Sequence, residues 1–335
     1  MGLIILFIFG LFTISTIINC ICCKLEIKKL NNCYGKFVQI NEEKMCVDIS
    51  GSGNKVVVLL TGWCSPSPVL EMAPLREWLK DEYMVITIEY YGYGLSDITK
   101  KERTIENITE EIHCVLQSLG YSRYTFMAHS ISGVYGLYYA NQYPEEVEAF
   151  VGIDTSVPKQ NEYMNTQKLN LKSAYISIFE KNIGILRIAS KISSRLIVDD
   201  VKGFIRSKED TKLLIMLYLN KWFNKTVINE QQNSIENFKK CKYLKFPKEI
   251  PVLFFLSSKE CEKLKQWYIL HEEIITDKKR SKIVILEGSH FLHYYYSLEI
   301  INIFKKWIEH PLEQCHQPKN TKISNELLKK ISKNT

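Results

Sequence analysis

The stretch Thr125-Phe-Met-Ala-His-Ser-Ile-Ser-Gly133 holds the residues best placed to do chemistry. An apolar run passes into small residues, and these pass into a helix-like pattern from Ser132 to Asn141. A strand that turns sharply into a helix lifts the residue at the turn clear of the sheet. Ser130 is that residue, and Ala128 and Ser132, two places to either side, are small enough for so tight a turn. Gly133 and Gly136 let the following helix approach the sheet closely. The positive end of the helix dipole also helps to hold negative charge developing at the serine oxygen.

A serine hydroxyl becomes a good nucleophile only when a base takes its proton. Gly288-Ser-His-Phe-Leu-His293 follows the apolar run Lys282–Leu286. His290, on the loop just beyond that run, is the expected base, and His293, placed in the next helix, is its rival. His129 reads as a packing residue, because the turn aims it away from Ser130. The imidazole needs a carboxylate to fix its tautomer. Glu260 follows the run Val252–Leu256 through Ser257-Ser-Lys259 and is the expected acid, and Asp154, at the end of Ala149–Ile153, is the alternative. Backbone donors for a tetrahedral oxyanion are expected from the amide of Ile131 and from Trp63 in Thr61-Gly-Trp-Cys-Ser65. The ten cysteines stand at no zinc-like spacing with histidine, so neither metal nor organic cofactor is expected.

These residues need a frame to hold them. Lys36–Ile40 and Lys44–Ile49 flank Asn41-Glu-Glu43 as a hairpin would. Lys55–Leu60, Met84–Glu89, Tyr124–Ala128, Ala149–Ile153, Pro251–Leu256 and Lys282–Leu286 are apolar runs, as in strands buried on both faces. Helical stretches separate them: Ala73–Lys80, then Ile105–Leu119 with Thr104 as N-cap and Gly120 as stop, then Ser132–Asn141, and last Ser297–Glu309. Strand and helix in alternation predict a mostly parallel central sheet with helices on both faces. The alternation lapses from about Pro158 to Phe246, where the pattern is helical throughout.

At this point the chain resembles the α/β-hydrolase family, in particular its cap-bearing members with a serine nucleophile. Four pieces carry the resemblance in order: T-G-W-C at Thr61, E-Y-Y-G-Y-G-L-S-D (Glu89–Asp97), A-H-S-I-S-G around Ser130, and E-G-S-H-F-L-H ending at His293. The stretch Tyr143–Ser156 looks like the approach to the family's cap. The resemblance implies an α/β-hydrolase core over residues 35–157 and 247–310, a helical cap over 158–246, and a Ser130, His290 and Glu260 set with Asp154 as alternative acid. The sequence departs from the family pattern at Thr61, where a histidine is usual. A serine nucleophile also separates it from the haloalkane dehalogenase and epoxide hydrolase branches, which use aspartate. The activity implied is hydrolysis of an ester-type bond in a small molecule with an apolar acyl part. A catalytically silent member of the fold, serving as a receptor or interaction module, is the alternative.

Composition bounds what remains. In 335 residues, 46 % hydrophobic and 24 % charged side chains are those of an ordinary globular protein. The net charge of +7 comes without a nucleic-acid-binding motif, so no such partner is expected, and the densest basic stretch is the tail over 311–335, from Lys319 to Lys333. Leu3–Cys23 carries no charge and is long enough, at ~1.5 Å per residue, to cross the hydrocarbon core of a bilayer. No basic residue precedes it and Asn19-Cys20 is a poor cleavage site, so residues 1–23 are expected to be a retained membrane anchor rather than a cleaved signal. Its removal is expected to leave the site intact. Lys24, Lys28, Lys29 and Lys36 follow it and favour a cytoplasmic position for the folded part.

Overall fold

The computed structural model describes residues 2–31, 33–164 and 172–310; the basic tail, 311–335, lies outside them. Eight strands form one sheet: β1 Lys36–Ile40, β2 Glu43–Ser50, β3 Lys55–Leu60, β4 Tyr83–Ile88, β5 Tyr124–His129, β6 Val147–Ile153, β7 Val252–Ser257 and β8 Lys282–Leu286. Their spatial order is β1-β2-β4-β3-β5-β6-β7-β8. Only the β1/β2 and β2/β4 pairs are antiparallel, and every later pair is parallel. Asn41 turns the first hairpin with a positive φ of 54°.

The helices are α1 Gly2–Leu30, α2 Pro68–Glu71, α3 Ala73–Leu79, α4 Ile105–Ser118, α5 Ser132–Gln142, α6 Gln160–Tyr163, α7 Lys172–Asn182, α8 Ile185–Ile192, α9 Lys208–Lys221, α10 Lys225–Cys241, α11 Ser258–Lys263, α12 Trp267–Glu273 and α13 Leu292–Glu309. Side chains alternate across a strand, so an apolar run feeds two cores at once. Val56, Val58, Leu60 and Phe126 join Ile108 and Ile112 of α4 and Val134 and Leu137 of α5 on one face. Val57, Leu59, Val85 and Met127 join Leu75 of α3 and Ile300 and Phe304 of α13 on the other. Thr104 caps α4 by accepting from the Asn107 amide, and Gly120 ends it at a φ of 80°. The last helix starts five residues before the expected Ser297 and is broken by non-helical torsions at Tyr296, so His293 lies in its first turn.

Between β6 and β7 the described chain is helical, α6 to α10, apart from a one-turn 3₁₀ segment (Ser194–Leu196) and an isolated bridge between Val201 and Phe204. Helix α1 is long and apolar enough to cross a membrane, with a mean hydropathy of 2.4 over 18 residues. It runs seven residues past Cys23, the end of the uncharged run, and its second half does not stand apart. Ser15 donates to the Ile183 carbonyl at 2.7 Å, Asn19 to the Lys181 carbonyl at 3.0 Å, and Glu26 accepts from Arg187 at 2.8 Å. Leu30 packs with Leu213, Leu214 and Leu217 of α9 in a third, smaller core. The expectation that the site would survive removal of residues 1–23 meets a physical objection here: Cys23 Sγ lies 3.9 Å from the Leu219 carbonyl of α9, and α9 supplies Tyr218 to the cavity around Ser130.

Candidate active site

Ser130 sits in the turn between β5 and α5 with a φ of 55°, a left-handed conformation that costs a non-glycine residue about 1–3 kcal/mol. Surrounding bonds hold it there. Its carbonyl accepts from Gly133 at 2.9 Å and from Ser156 at 2.8 Å. Gly133 admits this fit, since a Cβ at that position would lie 2.4 Å from Thr155 Cβ. Ser132 does more than stay small. Its hydroxyl accepts from Tyr90 at 2.7 Å and donates to the Thr61 carbonyl, tying the β3 loop to the turn. Gly62 lets that loop come close, because a Cβ there would stand 2.8 Å from His129 Nδ1 and 3.0 Å from Ser130 Cβ.

His290 Nε2 is 2.9 Å from Ser130 Oγ, and His290 Nδ1 is 2.7 Å from Asp154 Oδ2. Asp154 is fully buried, and its other oxygen accepts from the Ser257 amide at 2.9 Å and from the Trp267 indole at 3.0 Å. Two neutral donors and an imidazole thus satisfy a carboxylate that burial alone would disfavour. The structure brings Asp154, and not the expected Glu260, within hydrogen-bonding distance of His290. Glu260 lies in the first turn of α11, where its carboxylate pairs with Lys263 at 2.6 Å. The β7 strand runs straight into α11, Ser257 Oγ caps the helix by accepting from the Glu260 amide, and the side chain is carried onto the helix surface.

The other histidines fall into place around His290. His129 is buried, and its Nε2 lies 3.2 Å from the His290 carbonyl. Burial, with two imidazoles beside it, holds its pKa well below the usual histidine range. His293 is buried as well, and burial with His290 beside it pushes its pKa down to about 3. Both are therefore neutral at physiological pH. Among the described residues Ser130 Oγ makes a hydrogen bond with His290 and none with His293.

The amides of Ile131 and Trp63 have no acceptor among the described residues. The next amide, Cys64, is already used: it donates to Tyr93 Oη at 2.9 Å, and Tyr93 in turn donates to Glu230 of α10 at 2.9 Å. Tyr135 of α5 donates to the other oxygen of Glu230 at 2.7 Å. The loop is also held from above, where the Trp63 indole donates to the Val227 carbonyl at 3.3 Å and meets Phe223 edge-on. Sequence reasoning missed the Glu230 link and the Trp267 donor. Neither has a local signal, since their partners lie 95 to 137 residues away in the chain.

Ser130 and His290 open into a cavity of about 370 Å³ walled by Trp63, Tyr218, Trp222, Phe223, Phe291 and Tyr294. One acid, Glu71, lies in the wall and accepts from Ser65 Oγ. Burial raises its pKa to about 7, so near neutrality it can act as donor or acceptor. A larger cleft of about 700 Å³, between Trp78 and Ile303, lies away from these groups and contains none of them. The E-Y-Y-G-Y-G-L-S-D segment is structural: Ser96 Oγ accepts from the Cys46 amide at 2.8 Å, and buried Glu89 accepts from Tyr34, Ser67 and the Leu95 amide. Among the described residues no group of three or more His, Cys, Asp or Glu could hold a metal ion.

Comparison with known proteins gives the same architecture. A family model described as alpha/beta hydrolase fold matches residues 55–182. The chain is similar to the uncharacterised protein YbdG of Bacillus subtilis (strain 168), 25 % identical over 270 residues that cover 78 % of this chain and 81 % of that one. Among solved structures it resembles the epoxide hydrolase VrEH1 from Vigna radiata, with a TM-score of 0.60, 19 % identity, and coverage of 83 % of this chain and 99 % of that one. It also resembles Est816, titled an N-acyl homoserine lactone degrading enzyme, with a TM-score of 0.58, 15 % identity, and coverage of 81 % and 99 %. Matching sequence segment and matching architecture agree: the chain is a protein of the alpha/beta hydrolase fold.

Proposed function

We propose that the chain is a serine hydrolase that cleaves carboxylic ester bonds through an acyl-enzyme, held at a membrane by α1. The observation that carries this reading is the line Ser130 Oγ, His290, Asp154, with links of 2.9 and 2.7 Å. In the first step His290 Nε2 takes the Ser130 proton as Oγ attacks the substrate carbonyl. Asp154 stabilises the imidazolium that forms. The Ile131 and Trp63 amides hold the oxyanion, and the alcohol leaves with the proton from His290. Water, deprotonated by the same imidazole, then releases the acid.

Likeness to epoxide hydrolases does not by itself carry that substrate to this chain. Attack by an aspartate on an epoxide carbon gives an ester, which water can hydrolyse. Attack by Ser130 would give an ether, which the same His290 and water could not turn over. An aromatic cavity of about 370 Å³ suits an apolar acyl chain, at up to ~0.8 kcal/mol for each methylene it buries.

The test uses full-length protein in detergent, p-nitrophenyl esters from acetate to laurate, and a fluorophosphonate probe. Wild type is expected to be labelled once, at Ser130, and to prefer acyl chains longer than acetate. Ser130→Ala is expected to lose about a thousandfold or more in kcat/KM while keeping its fold. A folded Ser130→Ala protein with most of the wild-type activity would end the proposal.

A further inference from the structure

Helices α7 and α8 are turned inside out. In α8, Ile185, Ile188 and Ile192 form one stripe by their spacing, and a surface helix of a water-soluble domain buries such a stripe. Here Ile188 is 56 % and Ile192 76 % exposed, while Arg187 is 9 % exposed and faces α1. Arg187 donates to Asn19 Oδ1 and to Glu26 Oε2, each at 2.8 Å. In α7 it is Lys181 that turns inward, to the Trp222 carbonyl, while Tyr175, Ile176 and Phe179 lie outside. One charged residue in each helix, Lys181 and Arg187, thus serves as an inner contact, while Tyr175, Phe179, Ile188 and Ile192 meet the surroundings.

The surface beside them is apolar too. Leu6, Phe7, Leu11 and Ile14 of α1 are exposed, and a groove lined by Phe9, Phe12, Ile17, Phe179 and Ile183 joins α1 to the cap. The first hydrogen bond from α1 to the cap is made at Ser15. Residues 2–14 of α1 lie before it, and at 1.5 Å per residue they reach ~20 Å, less than a hydrocarbon core of ~30 Å. The residues that would complete the crossing, from Ser15 to Cys23, carry α7 and α8 with them.

We propose that the partner of this face is the lipid bilayer itself: α7 and α8 lie in its interfacial layer with Tyr175, Phe179, Ile188 and Ile192 immersed among the acyl chains. This rests on reading α1 as a membrane segment and adds the cap to the membrane-bound surface. It also places the acyl pocket against the lipid phase, since Lys181 holds the carbonyl of Trp222, a wall of the Ser130 cavity. The substrate class that follows is an ester already dissolved in the membrane, entering from the side of the cap.

The experiment uses the full chain in vesicles of phosphatidylcholine and phosphatidylglycerol doped with a phosphatidylcholine whose acyl chain bears a photoactivatable diazirine. Peptides carrying lipid adducts are identified by mass spectrometry. Adducts on residues 172–192 as well as on α1, with none on α4, are the expected result. Adducts on α1 alone overturn the inference and leave the anchor standing. Adducts on 172–192 without α1 overturn the anchor and leave the cap contact, and adducts on neither overturn both. The triple exchange Phe179→Ser, Ile188→Ser, Ile192→Ser is expected to cut the cap adducts about tenfold while hydrolysis of a water-soluble ester is kept, because none of the three residues lines the Ser130 cavity. Unchanged cap adducts in that variant overturn the inference. Should the triple variant fail to fold, the single exchange Ile192→Lys, at the most exposed of the three positions, is read in the same way.

Discussion

Strands β6 and β7 lie side by side, run in the same direction, and each is followed by an acid that could serve His290. They end differently. After Ile153 the chain makes a left-handed turn, with a φ of 43° at Asp154, and the side chain drops into the sheet's edge, fully buried. After Ser257 the chain becomes helix at once, and Glu260 rides out on α11 beside Lys263. The two ends are not independent. The Ser257 amide, at the tip of β7, donates to Asp154, and Asp154's own amide donates to the Phe255 carbonyl at 2.7 Å. The end of β7 is spent on holding the acid of β6. Proximity of an acid to the C-terminal edge of a parallel sheet is thus a weaker criterion than the path the backbone takes on leaving the strand.

The sharpest way to break this comparison is to neutralise each acid in turn. In the proposed mechanism Asp154→Asn removes the charge that stabilises the imidazolium and leaves an amide that favours the wrong tautomer. A loss of about 10³–10⁴ in kcat is expected. Glu260→Gln disrupts only a pair with a largely exposed lysine and is expected to change kcat less than about twofold, because such pairs contribute little. Steady-state kinetics on one ester decides between them, and the reverse ranking would return the acid to Glu260.

A finer test asks whether the neighbours of Asp154 matter as the geometry implies. Trp267→Phe keeps a buried ring but removes the 3.0 Å donor to Asp154 Oδ1. A hydrogen bond to a charged group is worth about 1.5–3 kcal/mol, and part of that loss is expected to appear as a drop of about tenfold in kcat. KM is expected to hold, since Trp267 does not line the Ser130 cavity. A variant altered in KM alone would show that Trp267 acts on the pocket and not on the acid.

How far the sequence reaches is clear from these same elements. Runs such as Val56–Leu60 are apolar at every position because the sheet is covered on both faces, so the strands could be placed within one or two residues. The turn at Ser130 was legible from small neighbours, and His290 from its position after β8. The choice between Asp154 and Glu260 was not, because a left-handed aspartate and an immediate helix start are decisions of a few torsion angles. The donors on Trp267 and Glu230 come from distant chain segments that the fold alone brings in. The inverted stripe of α8 reads in sequence like any amphipathic helix, and only its burial shows which side faces out.

The smallest expected effect separates His293 from Glu71, two buried groups around the same cavity with opposite proton linkage. His293 has a folded pKa near 3 against an unfolded value of ~6.5. Between those limits the unfolded chain binds a proton that the folded chain refuses, so this contribution is complete above pH 6.5 and is lost as pH falls. Glu71 is the reverse, with a folded pKa of about 7 against ~4.3 unfolded. Its contribution is complete below about pH 4.3 and is lost as pH rises toward 7. Across the shared window the two slopes oppose each other, so each is visible only in a variant that removes it. His293→Phe deletes a side chain whose Nδ1 has no partner among the described residues, and it is expected to shrink the fall in Tm on going from pH 7 to 4.5. Glu71→Gln is expected to enlarge that fall. Thermal unfolding of the full chain in one detergent at the two pH values measures both, as differences from wild type, so the other buried acids cancel. A His293→Phe protein with an unaltered slope would mean that this imidazole takes up its proton without unfolding the chain.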